Sequence, residues 1–326
     1  MDASELSQQI QDEVRKAVTQ SSYQFTPTDR SIYSPENLDP VVKTLVPTAT
    51  PVRNVLPRSE GRGEAASFNK LTSRLDPGAG GTGKAVGFAD AGTPNQTTQS
   101  YSFVSYPYKN LGRDVEIGRQ QIAANRGSNL EDVRAREEMV KTMEVLLGEE
   151  NMLMNGDASA ATTEFSGFSK LFTTNSGSAA LLSASGVASY SQTLFQAGAE
   201  LITHLILNPG QNRRLSDELQ GGGSIQRIVV DNQGNATGGV HLKNIVDGTT
   251  GNLIEVIASR YAANWAYLLS VQSPAGENWI EVEDLERLSI YDVPTSNHSV
   301  QSRVYETSVL KVIGEPYQYK IGGLAT

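Results

Sequence analysis

Apolar residues recur every three or four positions from Ser128 to Met154, through Leu130, Val133, Met139, Val140, Met143, Leu146, Leu147 and Leu153. That period predicts one long α-helix over 128–154. Ser128 and Glu131 form a capping-box pair at its start. Asn155-Gly156-Asp157 supplies the stop. At about 1.5 Å per residue such a helix spans roughly 40 Å. A narrower stripe of Leu6, Ile10, Val14, Ala17 and Val18 predicts an amphipathic helix from Asp2 to Val18. One stripe on a terminal helix needs another lobe or subunit to pack on, and a frayed tail is the alternative.

The period changes to two between Thr97 and Tyr108, where Ser100, Ser102, Val104, Tyr106 and Tyr108 alternate with Tyr101, Phe103 and Ser105. With Arg62 to Arg74 this predicts a long β-hairpin whose tip, Leu75 to Gln96, is rich in glycine. A lone two-stranded ribbon is marginal in water, so it needs a neighbour. Ahead of it, Ser21 to Pro57 carries Pro27, Pro35, Pro40, Pro47, Pro51 and Pro57. That density argues against regular structure. Val41, Val42, Leu45, Val46, Val52, Val55 and Leu56 are nonetheless apolar, which a disordered linker would not be. An extended arm lying along a surface is expected.

Downstream, Phe165, Phe168, Leu171 and Phe172 stand buried in a Ser/Thr/Ala/Gly-rich stretch. Ser189–Leu201 and Asn212–Leu219 read as helices, with His204–Leu207 a strand between them. Short strands follow at Ile225–Val230, Val240–Ile245, Leu253–Ile257 and Trp265–Val271. Ile280–Val282, Leu288–Tyr291 and Val300–Ile313 make a β-rich end, with Val304, Leu310 and Val312 sharing a face with Glu306 and Ser308.

Composition narrows the function. The chain has 326 residues, room for two or three packed lobes. It has no cysteine, which removes disulfide frameworks, thiolate metal sites and cysteine nucleophiles. With 27 basic and 36 acidic residues the net charge is -9, contrary to a nucleic-acid clamp. No run approaches the roughly 18 apolar residues of a membrane span. Met1 to Ser22 carries Asp2, Glu5, Asp12 and Glu13 and lacks the apolar core of a secretory signal. A soluble protein of a reducing cytosol is expected, with no membrane partner.

Candidate chemistry falls away on inspection. Gly78-Ala-Gly-Gly-Thr-Gly83-Lys84 fits the phosphate-cradling loop pattern, but Ala85 stands where a hydroxyl should hold Mg²⁺. Gly87, Gly92 and Pro94 then bar the helix that should follow. A flexible hairpin tip is the reading. His204, His241 and His298 have no mutual spacing suited to zinc. Asp231-Asn-Gln-Gly-Asn235 starts like a calcium loop, yet position twelve is Leu242. Glu149-Glu150 reads as a solvated helix face rather than a catalytic pair, and Asn212-Arg213-Arg214 as a loop contact. No catalytic, cofactor or metal residue is assigned, no cofactor is expected, and the chain is read as not an enzyme. What remains is an arm, a hairpin and a helix with apolar surface that they cannot bury alone, the pattern of a protein stabilised by association.

The order of these parts resembles the major capsid proteins of tailed bacteriophages, with the Hong Kong 97-type fold. The phrases that carry the resemblance are Glu149-Glu-Asn-Met-Leu-Met-Asn-Gly156-Asp with Phe165-Ser-Gly167-Phe, and Leu205-Ile-Leu-Asn-Pro209 with Leu215. Asn252-Leu-Ile-Glu-Val-Ile-Ala-Ser-Arg-Tyr261, Tyr305-Glu306-Thr-Ser-Val-Leu310, Glu315-Pro316 and Leu324 continue it. The resemblance implies an α+β fold in five parts. These are an N-terminal helix and arm (1–57), an extended hairpin or E-loop (58–110), a peripheral domain opening with the spine helix (111–179), an axial domain (180–275), and peripheral C-terminal strands (276–326). It implies a virion protein, assembled in the host cytoplasm, that associates with itself as hexamers and pentamers. The shell would enclose double-stranded DNA without sequence-specific binding, with scaffold, portal and decoration proteins as partners. Only about twenty residues precede the arm, so a separate scaffold is expected rather than a fused one. An encapsulin-type compartment of the same fold is the alternative. A nucleotide-binding or hydrolytic enzyme is the second.

Overall fold

Among the described residues a four-stranded sheet, a six-stranded sheet, two two-stranded ribbons and one long helix pack around two hydrophobic cores. The structure, a computed structural model, describes residues 49–73, 90, 92, 100–125, 132–221, 229–230, 236–237, 244–295 and 297–324. All of these belong to the unit Leu45–Thr326. The expected N-terminal helix, most of the arm, the hairpin tip with Gly78–Lys84, His241 and the Asp231–Asn235 turn lie outside the described residues.

The first sheet has four strands, in the order Arg58–Glu60, Ile280–Val293, Ser299–Val312, Lys109–Gly118. Arg58–Glu60 runs parallel to Ile280–Val293 and the other pairs are antiparallel. Ile280–Val293 is one strand where the sequence suggests two. Register shifts between Asp284 and Glu286, and between Glu286 and Ser289, break its alternation and hide its continuity. Along Ser299–Val312 the expected face is present: Val304, Glu306, Ser308, Leu310 and Val312 are all buried.

The second sheet has six strands: Ser176–Ser178, Tyr319–Gly322, Ala266–Leu269, His204–Leu207, Leu253–Ala258 and Asn244–Val246. Tyr319–Gly322, grouped by the sequence reading with the last peripheral strands, pairs here with Ala266–Leu269 and Ser176–Ser178. This sheet separates the two cores. Leu205, Leu207, Ile254, Val256, Ala266 and Leu268 enter one core with Val187, Leu194 and Leu215. Ile206, Ile257, Tyr267 and Leu269 enter the other with Phe168, Phe172 and Leu153. A strand buried on both faces loses its polar alternation, so these segments read as continuous apolar runs.

The long helix is Val133–Asn155 and starts later than expected, because Asp132 accepts from Arg134 N and acts as its N-cap. Ser128 and Glu131 lie outside the described residues. Its buried positions are Val145, Glu149, Glu150, Leu153 and Met154. The expected stripe through Met139, Val140, Met143, Leu146 and Leu147 is only half buried, and Met139 is 44% exposed. The helix expected at Ser189–Leu201 is Ala184–Ala197; Ser183 caps it by accepting from Gly186 N. Its Ser/Ala/Gly first turn has a loop's composition, which masked the start. Gly198, at φ 106°, ends it in a left-handed cap. The helix expected at Asn212–Leu219 is longer, Pro209–Gly221. No helix of the described residues is long and apolar enough to cross a membrane.

The arm also departs from expectation at its root. Pro51–Val55 is a short helix, and Val52 and Leu56 are buried. Proline breaks a helix in its interior, but at the first position its missing N–H costs nothing. After the long helix the chain turns back on itself at Gly156 and Gly167, where Gly167 N donates to Gly156 O at 2.9 Å. A Cβ on Gly167 would meet Leu153 O at 2.8 Å and Met152 O closer still. A Cβ on Gly148 meets nothing within 4 Å. Gly167→Ala should therefore cost about 3 kcal/mol or more, since backbone cannot yield to the methyl. Gly148→Ala should stabilise the subunit by about 0.5–1 kcal/mol. Denaturant unfolding of the two variants checks the opposite signs.

Candidate functional site

The candidate site is a charged joint, where the root of the arm meets the long helix and the first sheet. Thr50, the N-cap of the short helix, makes no side-chain cap bond. Glu150 takes that role from the long helix. Its Oε1 accepts from Val52 N at 3.3 Å and its Oε2 from Arg53 N at 3.0 Å. Ser259 Oγ also donates to Oε1, at 3.3 Å. A distant carboxylate thus satisfies two helix N–H groups that the local sequence leaves open. Burial pushes the Glu150 carboxyl above the ordinary range, helped by Glu149 and opposed by these bonds.

Two arginines complete the joint. Arg53 Nε donates to Glu149 Oε2, and Arg53 Nη2 stands 3.7 Å from Glu306 Oε1. Arg58 grips Asp284 with two prongs, Nε to Oδ2 at 2.8 Å and Nη2 to Oδ1 at 2.7 Å. Its Nη2 also donates to Glu306 Oε1 and lies 2.9 Å from Glu149 Oε1. Glu149, Glu150 and Glu306 are fully buried, and Asp284 is 6% exposed. Burial pulls the Arg58 guanidinium down, but Asp284, Glu149 and Glu306 outweigh it and hold it above its ordinary value. Glu306 moves up to about 7, first through burial and then through Glu149, with Arg58 and Arg53 pulling the other way.

A second set of contacts seats the base of the hairpin. The ribbon consists of Ala65–Ser73 paired antiparallel with Ser100–Pro107, with Phe68 opposite Val104. Tyr108 OH donates to Glu283 Oε1; burial and Glu283 push its pKa up to about 12. Lys311 Nζ reaches Glu281 Oε1 at 2.9 Å and Glu283 Oε2 at 3.0 Å, and lies 5.9 Å from the centre of the Phe68 ring. The expected alternation is present. Ser102, Val104, Tyr106 and Tyr108 are half buried, while Tyr101 and Phe103 are 66% and 69% exposed.

The structure overturns one reading outright. Glu149 and Glu150 are not a solvated face; they form the centre of the joint. Their signal was available in the spacing of Val145, Glu149 and Leu153, which puts a carboxylate inside the buried stripe. Its partners Arg53 and Arg58 lie 96 and 91 residues away, where no local pattern points to them. His204 is half buried, its Nδ1 2.7 Å from Thr203 Oγ1 and its Nε2 3.6 Å from Glu255 Oε2. Burial lowers its pKa against the pull of Glu255, as for a packed side chain. Arg213 is an exposed helix residue 4.0 Å from Asp217. Among the described residues no cluster of three His, Asp or Glu side chains has the arrangement of a metal site.

An arm root locked to a long helix, a projecting ribbon and two lobes built on separate sheets define a shell-building subunit, with the Hong Kong 97-type capsid fold. The SrpI encapsulin of Synechococcus elongatus PCC 7942 is similar at a TM-score of 0.60 and 11% identity, over 87% of this chain and 92% of that one. The capsid of Myoviridae phage XM1 is similar at 0.58 and 12% identity, over 89% and 97%. The structure described as Gordonia phage Cozz matches at 0.58 and 10% identity, over 90% and 92%. No curated protein matches the chain. The family model described as SU10 major capsid protein matches residues 17–316, and the chain belongs to that family. Its role is structural: it is a virion component that associates with copies of itself.

The joint makes a quantitative demand. Removing one partner of a buried charge pair typically costs about 3–5 kcal/mol. Arg58→Ala should lose that much, because Asp284 and Glu306 stay buried without it. Arg58→Lys should fall between the two, since a point charge cannot hold both oxygens of Asp284. Urea midpoints at fixed oligomeric state measure the ranking.

Proposed function

We propose that this protein builds the closed icosahedral head of a tailed phage, as hexamers and pentamers enclosing double-stranded DNA. A net charge of -9 suits a wall that holds DNA without gripping it. Separate scaffold, portal and decoration proteins would act with it, and assembly would proceed in the host cytoplasm. In this reading residues 1–57 are the helix and arm, 58–110 the E-loop, 111–179 and 276–326 the peripheral domain, and 180–275 the axial domain. The observation that carries it is the outer face of the ribbon. Tyr101 and Phe103 stand in water on a two-stranded element that is not stable by itself. Aromatic side chains of this kind are the usual anchors of protein interfaces. The half-exposed Met139 side of the long helix adds a second apolar surface.

A compartment shell of the encapsulin type is the second reading, favoured by the similarity to SrpI. The family model favours the phage head. Nucleic acid inside purified particles from infected cells separates the two, since a compartment would hold protein cargo.

The double variant Tyr101→Ser, Phe103→Ser tests the ribbon. Both side chains are exposed, so the subunit should keep its melting temperature within a few degrees. Shells should fail to close, or close as small irregular particles. Circular dichroism reports the fold and electron microscopy the particles; normal shells would count against the ribbon as a lattice contact. Replacing Arg74–Gln96 with an Asn-Gly turn should give the same separation of folding from assembly, because shortening the connection between two paired strands costs little closure entropy.

A further inference from the structure

The joint holds more carboxylates than its cations match. Arg53 and Arg58 face Glu149, Glu306 and Asp284, while Glu150 is occupied by Val52 N and Arg53 N. With every acid ionised, three buried carboxylates share two partly exposed guanidinium groups. Donors run short as well. Glu306 Oε2 is buried and has no hydrogen-bond partner among the described residues, and Glu149 Oε1 relies on the same Arg58 Nη2 that serves Asp284 and Glu306. Arg58 Nη1 is also without a partner, so the remaining donor of that arginine does not serve them. One added proton corrects both deficits: it cancels the surplus charge and supplies an O–H donor.

We propose that the joint is a proton-operated clamp, in which Glu306 takes up a proton to fasten the arm root to the long helix and sheet, and releases it to loosen them. The charged groups around Glu306 come from each neighbouring element. They are Arg53 from the short helix, Arg58 from the first strand, Glu149 and Glu150 from the long helix, and Asp284 from the Ile280–Val293 strand. The fifth neighbour, Lys109–Gly118, opposes it with Leu111, which does not titrate. Burial and the charge of Glu149 set Glu306 to change charge near neutrality, at about 7 against an ordinary 4.5. A carboxyl raised on folding binds more protons in the native state, so it costs stability as pH climbs through the folded value. The clamp is therefore tightest below about pH 4.5, loosens as pH climbs from there to about 7, and changes little above that. The surplus negative charge is what loosens it. This clamp lies within one subunit and holds whichever shell the subunit builds.

Hydrogen exchange at the amides of Val52 and Arg53 reads the clamp in the full chain, corrected for intrinsic rate and at one oligomeric state. Linkage with a folded value near 7 predicts protection about tenfold higher at pH 6 than at pH 8. In Glu306→Gln the two values should coincide. Equal protection of the unaltered protein at both pH values would overturn the proposal. So would a tenfold dependence that survives in Glu306→Gln, since the responding group would then be another acid such as Glu150. Should Glu306→Gln not fold, Glu149→Gln puts the same question. It removes the charge that presses hardest on Glu306 after burial, so the ratio should shrink towards one. An unchanged ratio in that variant would also overturn the clamp.

Discussion

Taking a carboxylate out of water costs several kcal/mol before any partner arrives. The long helix and the first sheet bury three of them, Glu149, Glu150 and Glu306, against one another. None of the elements that carry these acids supplies the cations. Arg53, Arg58 and the two backbone N–H groups all come from residues 52–58. The first core is therefore completed by the arm root. Val52 and Leu56 reach the hydrophobic cluster because the arginines beside them are drawn into the joint. Swapping such a network for apolar residues is often neutral or favourable for stability. What an ionic joint supplies is position: a bidentate fork on Asp284 fixes where the arm leaves the subunit.

The same logic separates rigid parts from reaching parts. The central strands of the six-stranded sheet, His204–Leu207 and Ala266–Leu269, are apolar and buried between two cores, so they hold the second lobe together from within. Among the described residues the ribbon is held at its base, through Ala66, Tyr106, Tyr108, Lys311 and Phe68. Its outer face bears Tyr101 and Phe103 in water. A subunit with a complete interior and incomplete projections is stable enough to fold, and becomes fully satisfied only among copies of itself.

Much of this was legible in the sequence, and the failures share a cause. The ribbon, the His204–Leu207 strand and the Phe165–Phe172 core showed as period-two or apolar patterns, which arise locally. The family showed in the order of several weak phrases. Hidden were the features set by distant partners. Glu149-Glu150 looked like a wet face because charge on a helix is usually wet, and their counter-ions are far off in the chain. The long helix looked apolar along Met139 to Leu147, yet that side is only half covered within the subunit. Ile280–Val293 looked like two strands because its bulges break the alternation. Pro51 looked like a breaker because its position in the helix, not its identity, decides its effect.

The joint also ties early and late parts of the sequence together in time. Arg58 is bound to Asp284 across 226 residues and to Glu306 across 248. Contacts this remote form late, since the loop between them must first be closed. On a ribosome the arm root emerges early, while the strands that hold it are the last long ones made. A chain that ends before Asp284 holds only Glu149 and Glu150 of the four acids that fix its arm root. The place where the arm leaves the subunit is thus decided late in folding, by strands far along the sequence.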